Sequence, residues 1–470
     1  MFSARITRGL KSKIAKGIVG SFGLRLAYTG LTFIISILLA RVLGKSGFGV
    51  YSYAVVWAYL LSVPATLGFD NFMVREIAVY QSQSSWSLMR GLLQWADRAV
   101  LAVSVALALV SIGIAWLVDG GTYSEPFVGF CLAMVMMPAL SLRNIRRGAM
   151  RGLQQITKGL LPELLLDPLI LLVLTGLAYF LLPQLSVLFN PSLSGQINAL
   201  WIIIFYGIGT GLTLFLLNRF LSQSLPLLAK VSLPEFKGRV WLKGALPFIL
   251  IESIPIINAR TDVLMLGALR GVDAVGLYVP VNRGAQLINF ILMAVGSTLA
   301  PVIASAHADN RLIDLQQTVT KSVRVVAGVA FLFAVALIIC GNSYLSLFGP
   351  EFIQGRRALY ILCIGVFMST SVGLSFVILN MTGHERFTAI QGWGMTILNI
   401  VLNAILIPRW GVEGAALATS MSLTLGGFAG LIAVRRKLGI DATLMGLPAK
   451  LPAKAPETIE VAQDDDNDDR

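Results

Sequence analysis

Cysteine and histidine are scarce in this sequence, and neither type forms a cluster. The 470 residues contain three cysteines and two histidines. The cysteines, Cys131, Cys340 and Cys363, lie in apolar runs, whereas His307 and His384 lie far apart in polar connections. This spacing excludes a disulfide framework and gives no basis for a metal site. We predict neither a bound metal nor a cofactor.

Charged residues are also few. They make up 13% of the chain, against about 25% in a soluble domain, while hydrophobic residues make up 56% and the mean hydropathy is +0.78. A chain this apolar belongs to the membrane class. The net charge of +13 does not indicate nucleic acid, because the cations lie between apolar runs, as in loops held at an anionic membrane face.

The motifs of soluble catalysis are missing. Gly44-Lys45-Ser46 resembles the end of a phosphate-binding loop, but the glycine required five positions earlier is Leu39. The longest connection on the predicted outer side, 183–198, contains no carboxylate, histidine or basic residue. This argues against a membrane enzyme such as an oligosaccharide polymerase or ligase. We therefore predict that the protein is not an enzyme.

Long apolar runs dominate the chain instead. A membrane-spanning helix needs about 20 such residues, and by this rule there are about twelve spans. They are 18–43, 49–69, 92–118, 125–143, 160–182, 198–221, 243–268, 274–304, 323–348, 356–380, 388–408 and 413–434. The sequence thus predicts an all-α polytopic membrane protein.

Two short motifs recur in the second half of the chain. Gly49-Val50-Tyr51 is echoed by Gly276-Leu277-Tyr278, and Gly152 to Thr157 is echoed by Gly383 to Thr388. Such repetition is typical of transporter folds. We expect two six-helix halves around a central cavity.

The charge of the connections alternates. Every second connection is rich in arginine and lysine, and the positive-inside rule places these connections and both termini in the cytoplasm. The predicted divisions are a basic cytoplasmic N-terminus (1–17), an N-terminal half (18–221), a cytoplasmic linker (222–242), a C-terminal half (243–437) and a disordered acidic cytoplasmic tail (438–470).

A few polar side chains lie inside the predicted spans, where a charge costs about 2.5–3.5 kcal/mol. Such residues normally face a water-filled cavity or a partner. We expect eight of them to form a cationic, amide-lined cavity: Arg25, Arg260, Arg283, Asn282, Gln286, Asn289, Asn399 and Asn403. Local neutralisation of Arg260 by Asp262 is the alternative for that arginine.

Two carboxylates share one face of the fifth span. Glu163 and Asp167 are four residues apart and would repel each other if both were ionised. A bound cation or proton would relieve this repulsion, so we treat both residues, with Asp262, as candidate ion-coupling groups. The alternative is a salt bridge to an arginine such as Arg147 or Arg151.

One stretch carries a family resemblance. Leu38-Leu-Ala-Arg-Val-Leu-Gly44, followed by Phe48-Gly-Val-Tyr51, Leu67-Gly-Phe-Asp70 and Val74-Arg-Glu-Ile-Ala78, resembles the opening of the polysaccharide transporter (Wzx-type) flippases. These belong to the superfamily of multidrug, oligosaccharidyl-lipid and polysaccharide flippases. In that superfamily the halves form a V-shaped pair that opens alternately to each side.

The resemblance implies a flippase in the cytoplasmic membrane that moves a polyprenyl-diphosphate-linked oligosaccharide for surface polysaccharide biosynthesis. The implied partners are this cargo, membrane lipids, a coupling cation (H⁺ or Na⁺) and other polysaccharide-assembly proteins. The alternative is a multidrug or toxic-cation extruder of the same superfamily. Extruders commonly carry a carboxylate in the first helix, where this sequence has Arg25 and no acid between Gly17 and Leu43.

Overall fold

The computed structural model of the protein describes residues 2–189, 197–309 and 311–446. These ranges contain helices and the turns between them, and no strand. The helices of the first half are α1 (Phe2–Ala65), α2 (Phe69–Ser82), α3 (Trp86–Asp119), α4 (Glu125–Gly152), α5 (Ile156–Leu161), α6 (Asp167–Phe189) and α7 (Ala199–Ser224). A π-helical turn, Pro162–Leu166, joins α5 to α6.

Eight further helices follow along the described part of the chain. They are α8 (Leu227–Val231), α9 (Gly238–Arg270), α10 (Val272–Ala308), α11 (Leu312–Ile339), α12 (Gly341–Ser346), α13 (Arg356–Val372), α14 (Leu374–Met381) and α15 (Glu385–Leu438). A 3₁₀ turn, Pro350–Gly355, precedes α13. Helix α9 bends by 47° between Leu250 and Ser253.

Helix α1 is two antiparallel spans joined at Gly44. This residue has φ 65° and ψ −177°, outside the helical region and favourable only for glycine. In a straight helix Tyr28 and Tyr59 would lie about 46 Å apart, yet both line one cavity. The chain therefore folds back at Gly44, between the predicted spans 18–43 and 49–69.

Helix α15 reverses in the same way at Gly411, where φ is 56°. The Asn399 amide donates a hydrogen bond to Ser422 at 3.3 Å, although a straight helix would separate them by about 35 Å. Among the described residues nine helices are long and apolar enough to cross a membrane, and the bent α9 is a tenth. Dividing α1 and α15 at their reversals gives the twelve predicted spans.

The two halves meet at two equivalent glycines. A Cβ built on Gly49 would overlap the carbonyl oxygen of Val272, and one built on Gly276 would overlap the carbonyl oxygen of Lys45. Gly49 and Gly276 are repeat equivalents, and so are Lys45 and Val272. The same contact therefore occurs twice, and the two copies are related by a pseudo-two-fold axis. Lys45 adds an ion pair to Asp273 at 3.4 Å, which joins the halves on the predicted outer side.

Two predicted boundaries change. Helix α4 continues to Gly152, whereas the span was predicted to end at residue 143, so the helix carries Arg143 and Arg147. The predicted tail begins with an ordered segment, because Ile440 and Ala442 are buried and the Gln316 amide hydrogen-bonds the Asp441 backbone at 2.8 Å. Residues 447–470 lie outside the described ranges, and the exact division into halves stays a prediction.

Candidate functional site

A cavity of about 110 Å³ lies in the N-terminal half. We call it the N-terminal cavity. Its lining comes from both arms of α1, from the turn between α5 and α6, from α7 and from α9: Tyr28, Thr32, Ile35, Tyr51, Val55, Tyr59, Glu163, Asp167, Pro168, Leu171, Tyr206 and Arg260. The reversal at Gly44 is what brings its tyrosines together.

The two carboxylates of this cavity are paired with arginines of α4. Arg143 is fully buried and forms an ion pair with Asp167, and Arg147 donates to Glu163 at 2.8 Å. Both arginines and both carboxylates are spaced four residues apart, so the antiparallel helices match charge for charge. Asp167 also accepts a hydrogen bond from Thr213 at 2.9 Å.

These ion pairs account for Glu163 and Asp167 without a bound cation. Arg147 reaches Asp70 at 2.9 Å as well, which ties α4 to α2. The salt-bridge alternative named Arg147 correctly for Glu163, whereas Asp167 is held by Arg143, which the sequence reasoning had placed at the edge of a loop. A role of the two carboxylates in ion coupling stays a prediction.

The three predicted cavity arginines have no carboxylate partner among the described salt bridges. Arg260 lies over the ring of Tyr59, with its guanidinium carbon 5.6 Å from the ring centre. Arg283 is half-buried, and its electrostatic neighbours are Tyr28, Tyr51, Tyr344 and Arg260. Its Nε atom is buried and has no hydrogen-bond partner.

Arg25 is exposed on α1, one turn before Tyr28. It lies within electrostatic range of Glu163 but forms no described ion pair with it. Arg25, Arg260 and Arg283 therefore come from three different spans, and of the three only Arg260 is among the lining residues of the two described cavities. A cationic cavity formed by all three stays a prediction.

Local neutralisation of Arg260 by Asp262 is not what the structure shows. Arg260 points to Tyr59 of the opposite half, while Asp262 is buried in a separate hydrogen-bonded group. Residues two positions apart on a helix face different directions, so they do not meet.

A second cavity, of about 270 Å³, lies in the C-terminal half. We call it the C-terminal cavity. Its lining is Pro255, Asn258, Ala259, Asp262, Asn282, Ala285, Gln286, Asn289, Leu362, Val366, Ser369, Thr370, Thr419 and Leu423. Asn282, Gln286 and Asn289, which were predicted to line a cavity, are thus among the residues that line this one, and the lining has no basic residue.

Asp262 is the only acidic residue of that lining. It accepts hydrogen bonds from the Tyr278 hydroxyl at 2.7 Å, from the Asn403 amide at 2.8 Å and from Thr419. No lysine or arginine forms a described salt bridge with it. A buried carboxylate with donors and no counter-charge is suited to hold a proton or a small cation.

Asn399 and Asn403 are not among the lining residues of either described cavity. Both are buried, and the Asn403 amide donates to Asn399 at 3.0 Å as well as to Asp262. Asn399 donates in turn to Thr419 and Ser422. Both asparagines belong to the hydrogen-bonded group around Asp262, and a contact with the cargo stays a prediction.

Sequence reasoning missed two groups of residues. It did not single out Arg143 and named Arg147 only as an alternative partner, and it did not single out the tyrosines Tyr28, Tyr51, Tyr59 and Tyr206. A signal for the arginines exists, because their four-residue spacing matches that of Glu163 and Asp167. The tyrosine group has no such signal, since it forms only when three helices pack together.

Known proteins share the fold and much of the sequence pattern. A probable flippase of Haloferax volcanii, AglR, is 23% identical over 90% of this chain and 83% of its own length. A probable low-salt glycan biosynthesis flippase of the same organism, Agl15, is 22% identical over 88% of this chain and 81% of its own.

Solved structures agree on the architecture. The inward-facing conformation of a MATE family multidrug resistance transporter of the MOP superfamily superposes with a TM-score of 0.67 at 13% identity, covering 87% of this chain and 94% of that one. The lipid II flippase MurJ in an inward closed conformation gives 0.66 at 14% identity, covering 89% and 87%. These likenesses show that the chain shares the fold of these two proteins.

Family models locate the chain more closely. The MatE model matches residues 250–405, which include α10 to α14 and the lining of the C-terminal cavity except Thr419 and Leu423. The model described as polysaccharide biosynthesis protein matches residues 14–307, more than half of the chain. The chain therefore belongs to the polysaccharide biosynthesis protein family.

Proposed function

We propose that the protein is a flippase that moves a polyprenyl-diphosphate-linked oligosaccharide across the cytoplasmic membrane for surface polysaccharide biosynthesis. Such a cargo has an anionic diphosphate, a polar glycan and a hydrocarbon tail that can stay in the bilayer. Transport changes no covalent bond, so the function needs no catalytic group. Both termini lie in the cytoplasm in this proposal, and other polysaccharide-assembly proteins supply and consume the cargo.

The environment of Arg283 carries the proposal. Arg283 is half-buried, its Nε has no hydrogen-bond partner among the described residues, and no described carboxylate forms an ion pair with it. Its electrostatic neighbours are three tyrosines and another arginine. A diphosphate would supply the missing negative charge, because guanidinium presents a fork of N–H donors to phosphate oxygens. Arg260 is an electrostatic neighbour of Arg283 and would share the charge of the diphosphate.

The C-terminal cavity suits the glycan. Its amide side chains, Asn258, Asn282, Gln286 and Asn289, offer both donors and acceptors to sugar hydroxyls. Its lack of a basic residue separates it from the arginine group. We assign the diphosphate to the arginines and the first sugars to the amides.

The names of the relatives support a lipid-linked saccharide as the cargo. AglR and Agl15 are named as flippases, and the name of Agl15 places it in glycan biosynthesis. MurJ is named for lipid II. Together with the polysaccharide biosynthesis family, these names favour a lipid-linked saccharide over other cargoes of the fold.

We propose Asp262 as the group that couples transport to H⁺ or Na⁺. It is buried and uncompensated, whereas Glu163 and Asp167 each hold an arginine. Tyr278, Asn403 and Thr419 fix its position through hydrogen bonds. Binding a cation would remove the cost of burying its charge.

A multidrug or toxic-cation extruder is the second candidate. The match of the MatE model and the uncompensated Asp262 favour it. Three unpaired arginines weigh against it, since they would repel a cationic drug. The deciding experiment removes the protein from its native cell and measures both lipid-linked glycan and drug sensitivity.

A further inference from the structure

The segment that joins α7 to α9 displays large apolar side chains to its surroundings. Leu227, Leu228, Val231 and Leu233 are 63–85% exposed. We call these four residues and the exposed cations described next the linker surface. Soluble surfaces rarely concentrate so much apolar area, and a concentration of this kind marks a binding site for a partner or a membrane.

Basic residues surround these side chains. Lys230, Lys237, Arg239 and Lys243 are all exposed, and the segment has one acid, Glu235. Glu235 pairs with Lys237 at 3.1 Å. The other three cations form no described salt bridge, so the surface has a net positive charge.

The linker surface is firmly attached to the first half of the molecule. Arg90 of α3 donates to the Ser232 carbonyl at 2.7 Å, and the Glu235 backbone N–H donates to the Ser87 carbonyl at 3.1 Å. A Cβ on Gly91 would overlap the Glu235 backbone. The apolar side chains are therefore held outward on a fixed backbone.

The position of the segment identifies what covers it. It connects the end of one membrane-spanning helix, at Ser224, to the start of another, at Gly238. A short connection of this kind lies at the boundary between bilayer and water, on the side that the positive-inside rule assigns to the cytoplasm. Apolar side chains and cations at this depth match acyl chains and anionic headgroups.

We propose that the linker surface binds anionic lipids of the cytoplasmic leaflet, with its leucines in the acyl region and its cations at the phosphates. The neighbouring packing gives this contact a structural consequence. Trp241 of α9 is buried and donates to the Tyr80 hydroxyl of α2 at 2.9 Å. Lipid bound here thus sits beside the junction that holds the first part of α9 to the N-terminal half.

The test places the whole protein in nanodiscs of phosphatidylcholine alone or with phosphatidylglycerol. A single cysteine replaces Leu233 in a background without the three native cysteines and carries an environment-sensitive fluorophore. A Cys at Asp309, a polar position on the same predicted face, is the matched control. Quenching by headgroup-proximal spin-labelled lipid and by aqueous iodide reports the depth of each probe.

We expect the Leu233 probe to be quenched by the lipid and shielded from iodide, with the effect increasing as phosphatidylglycerol is added. The Asp309 probe stays open to iodide. Replacing Lys230, Arg239 and Lys243 with Gln raises the phosphatidylglycerol fraction needed, about fivefold in affinity per cation. Replacing Arg356 and Arg357, exposed cations of the opposite side, with Gln changes nothing at Leu233.

Three results would overturn the proposal. Equal access of iodide to the Leu233 and Asp309 probes in both lipids would show that the surface faces water. Shielding of the Leu233 probe that does not depend on phosphatidylglycerol would show that the surface does not select anionic lipid. Shielding in lipid-free detergent together with a dimer in native mass spectrometry would assign the surface to a second copy of the chain.

Discussion

The guanidinium of Arg260 lies 5.6 Å from the centre of the Tyr59 ring, and the two residues belong to opposite halves of the molecule. The Tyr59 hydroxyl is 2.6 Å from that of Tyr206 and accepts a hydrogen bond from Arg143 at 3.4 Å. Tyr59 therefore connects an arginine of the proposed cargo site to the buried ion pairs of the N-terminal half.

This contact predicts different effects for two replacements of Tyr59. A cation–π contact contributes about 0.5–2 kcal/mol, so Tyr59→Leu should weaken binding of a short-chain prenyl diphosphate by about 2- to 30-fold. Tyr59→Phe keeps the ring and should bind nearly as the original does. Titration calorimetry in detergent measures both.

Tyr179→Leu is the matched control, because Tyr179 is exposed on α6 and lines neither cavity. Unchanged binding in Tyr59→Leu would show that the ring does not position Arg260.

Alanine and lysine variants of the cavity arginines should show whether transport needs only the positive charge or also the geometry of the guanidinium. Arg25→Ala and Arg283→Ala each remove a charge-assisted contact of about 1.5–3 kcal/mol, which is roughly ten- to a hundred-fold in affinity. Lysine at either position should restore part of the export, because an ammonium keeps the charge but loses the fork. Glycan export in cells, at matched protein levels, is the measurement.

Arg260→Ala can be tested in the same experiment without a secondary loss of stability. Asp262 is held by its own hydrogen bonds, so removing Arg260 leaves no carboxylate unpaired, and the variant should fold. Normal export by all three alanine variants would contradict the proposal that the arginines bind the diphosphate.

The acidic residues of the two cavities should behave differently. Asp167→Asn removes the main ion-pair partner of the buried Arg143 and leaves it only Glu163, 4.0 Å away. Breaking a buried ion pair costs about 3–5 kcal/mol, so thermal unfolding in detergent should shift to lower temperature. Asp262→Asn leaves no such charge and should keep the stability. It should instead remove the dependence of transport on a proton or sodium gradient.

The opposite pattern would reassign coupling. If Glu163→Gln combined with Asp167→Asn folds stably and flattens the gradient dependence, while Asp262→Asn retains it, the coupling group lies in the N-terminal cavity. Asp309→Asn, in a polar connection, serves as the control for both.

The repeated glycine contact should hold the two halves together on the predicted outer side. Gly276→Ala places a methyl group against the Lys45 carbonyl oxygen, and Gly49→Ala does the same at Val272. Either change should separate the halves there and expose a cysteine introduced at Ser46 to a membrane-impermeant thiol reagent. Gly30→Ala is the control, because a Cβ there meets nothing within 4 Å. Equal labelling of all three variants would contradict this function of the contact.

The sequence was sufficient to predict the spans and the repeat. Apolar runs of the required length and the glycines at Gly44, Gly49 and Gly276 are local features, and the physics of the bilayer leaves few alternatives to a helical bundle. The arginines inside spans were also visible, because a charge in such a run is conspicuous.

The pairing of side chains was not predictable in the same way. The buried group of Asp262, Asn399, Asn403 and Thr419 joins residues of α9 to both arms of α15. Its members lie far apart in the sequence. The reversal of α15 at Gly411 brings the residues of its two arms close together. Helix α2 was missed as well, since its 14 residues are amphipathic and shorter than a span.

The proposed cargo is tested most directly by removing the protein from its native cell. Lipid-linked glycan is extracted and its leaflet assigned by access to a membrane-impermeant glycosidase, and resistance to cationic drugs is measured in parallel. The flippase account predicts accumulation of lipid-linked glycan on the cytoplasmic leaflet and unchanged drug resistance. Unchanged lipid-linked glycan together with new sensitivity to cationic drugs would contradict it and favour an extruder.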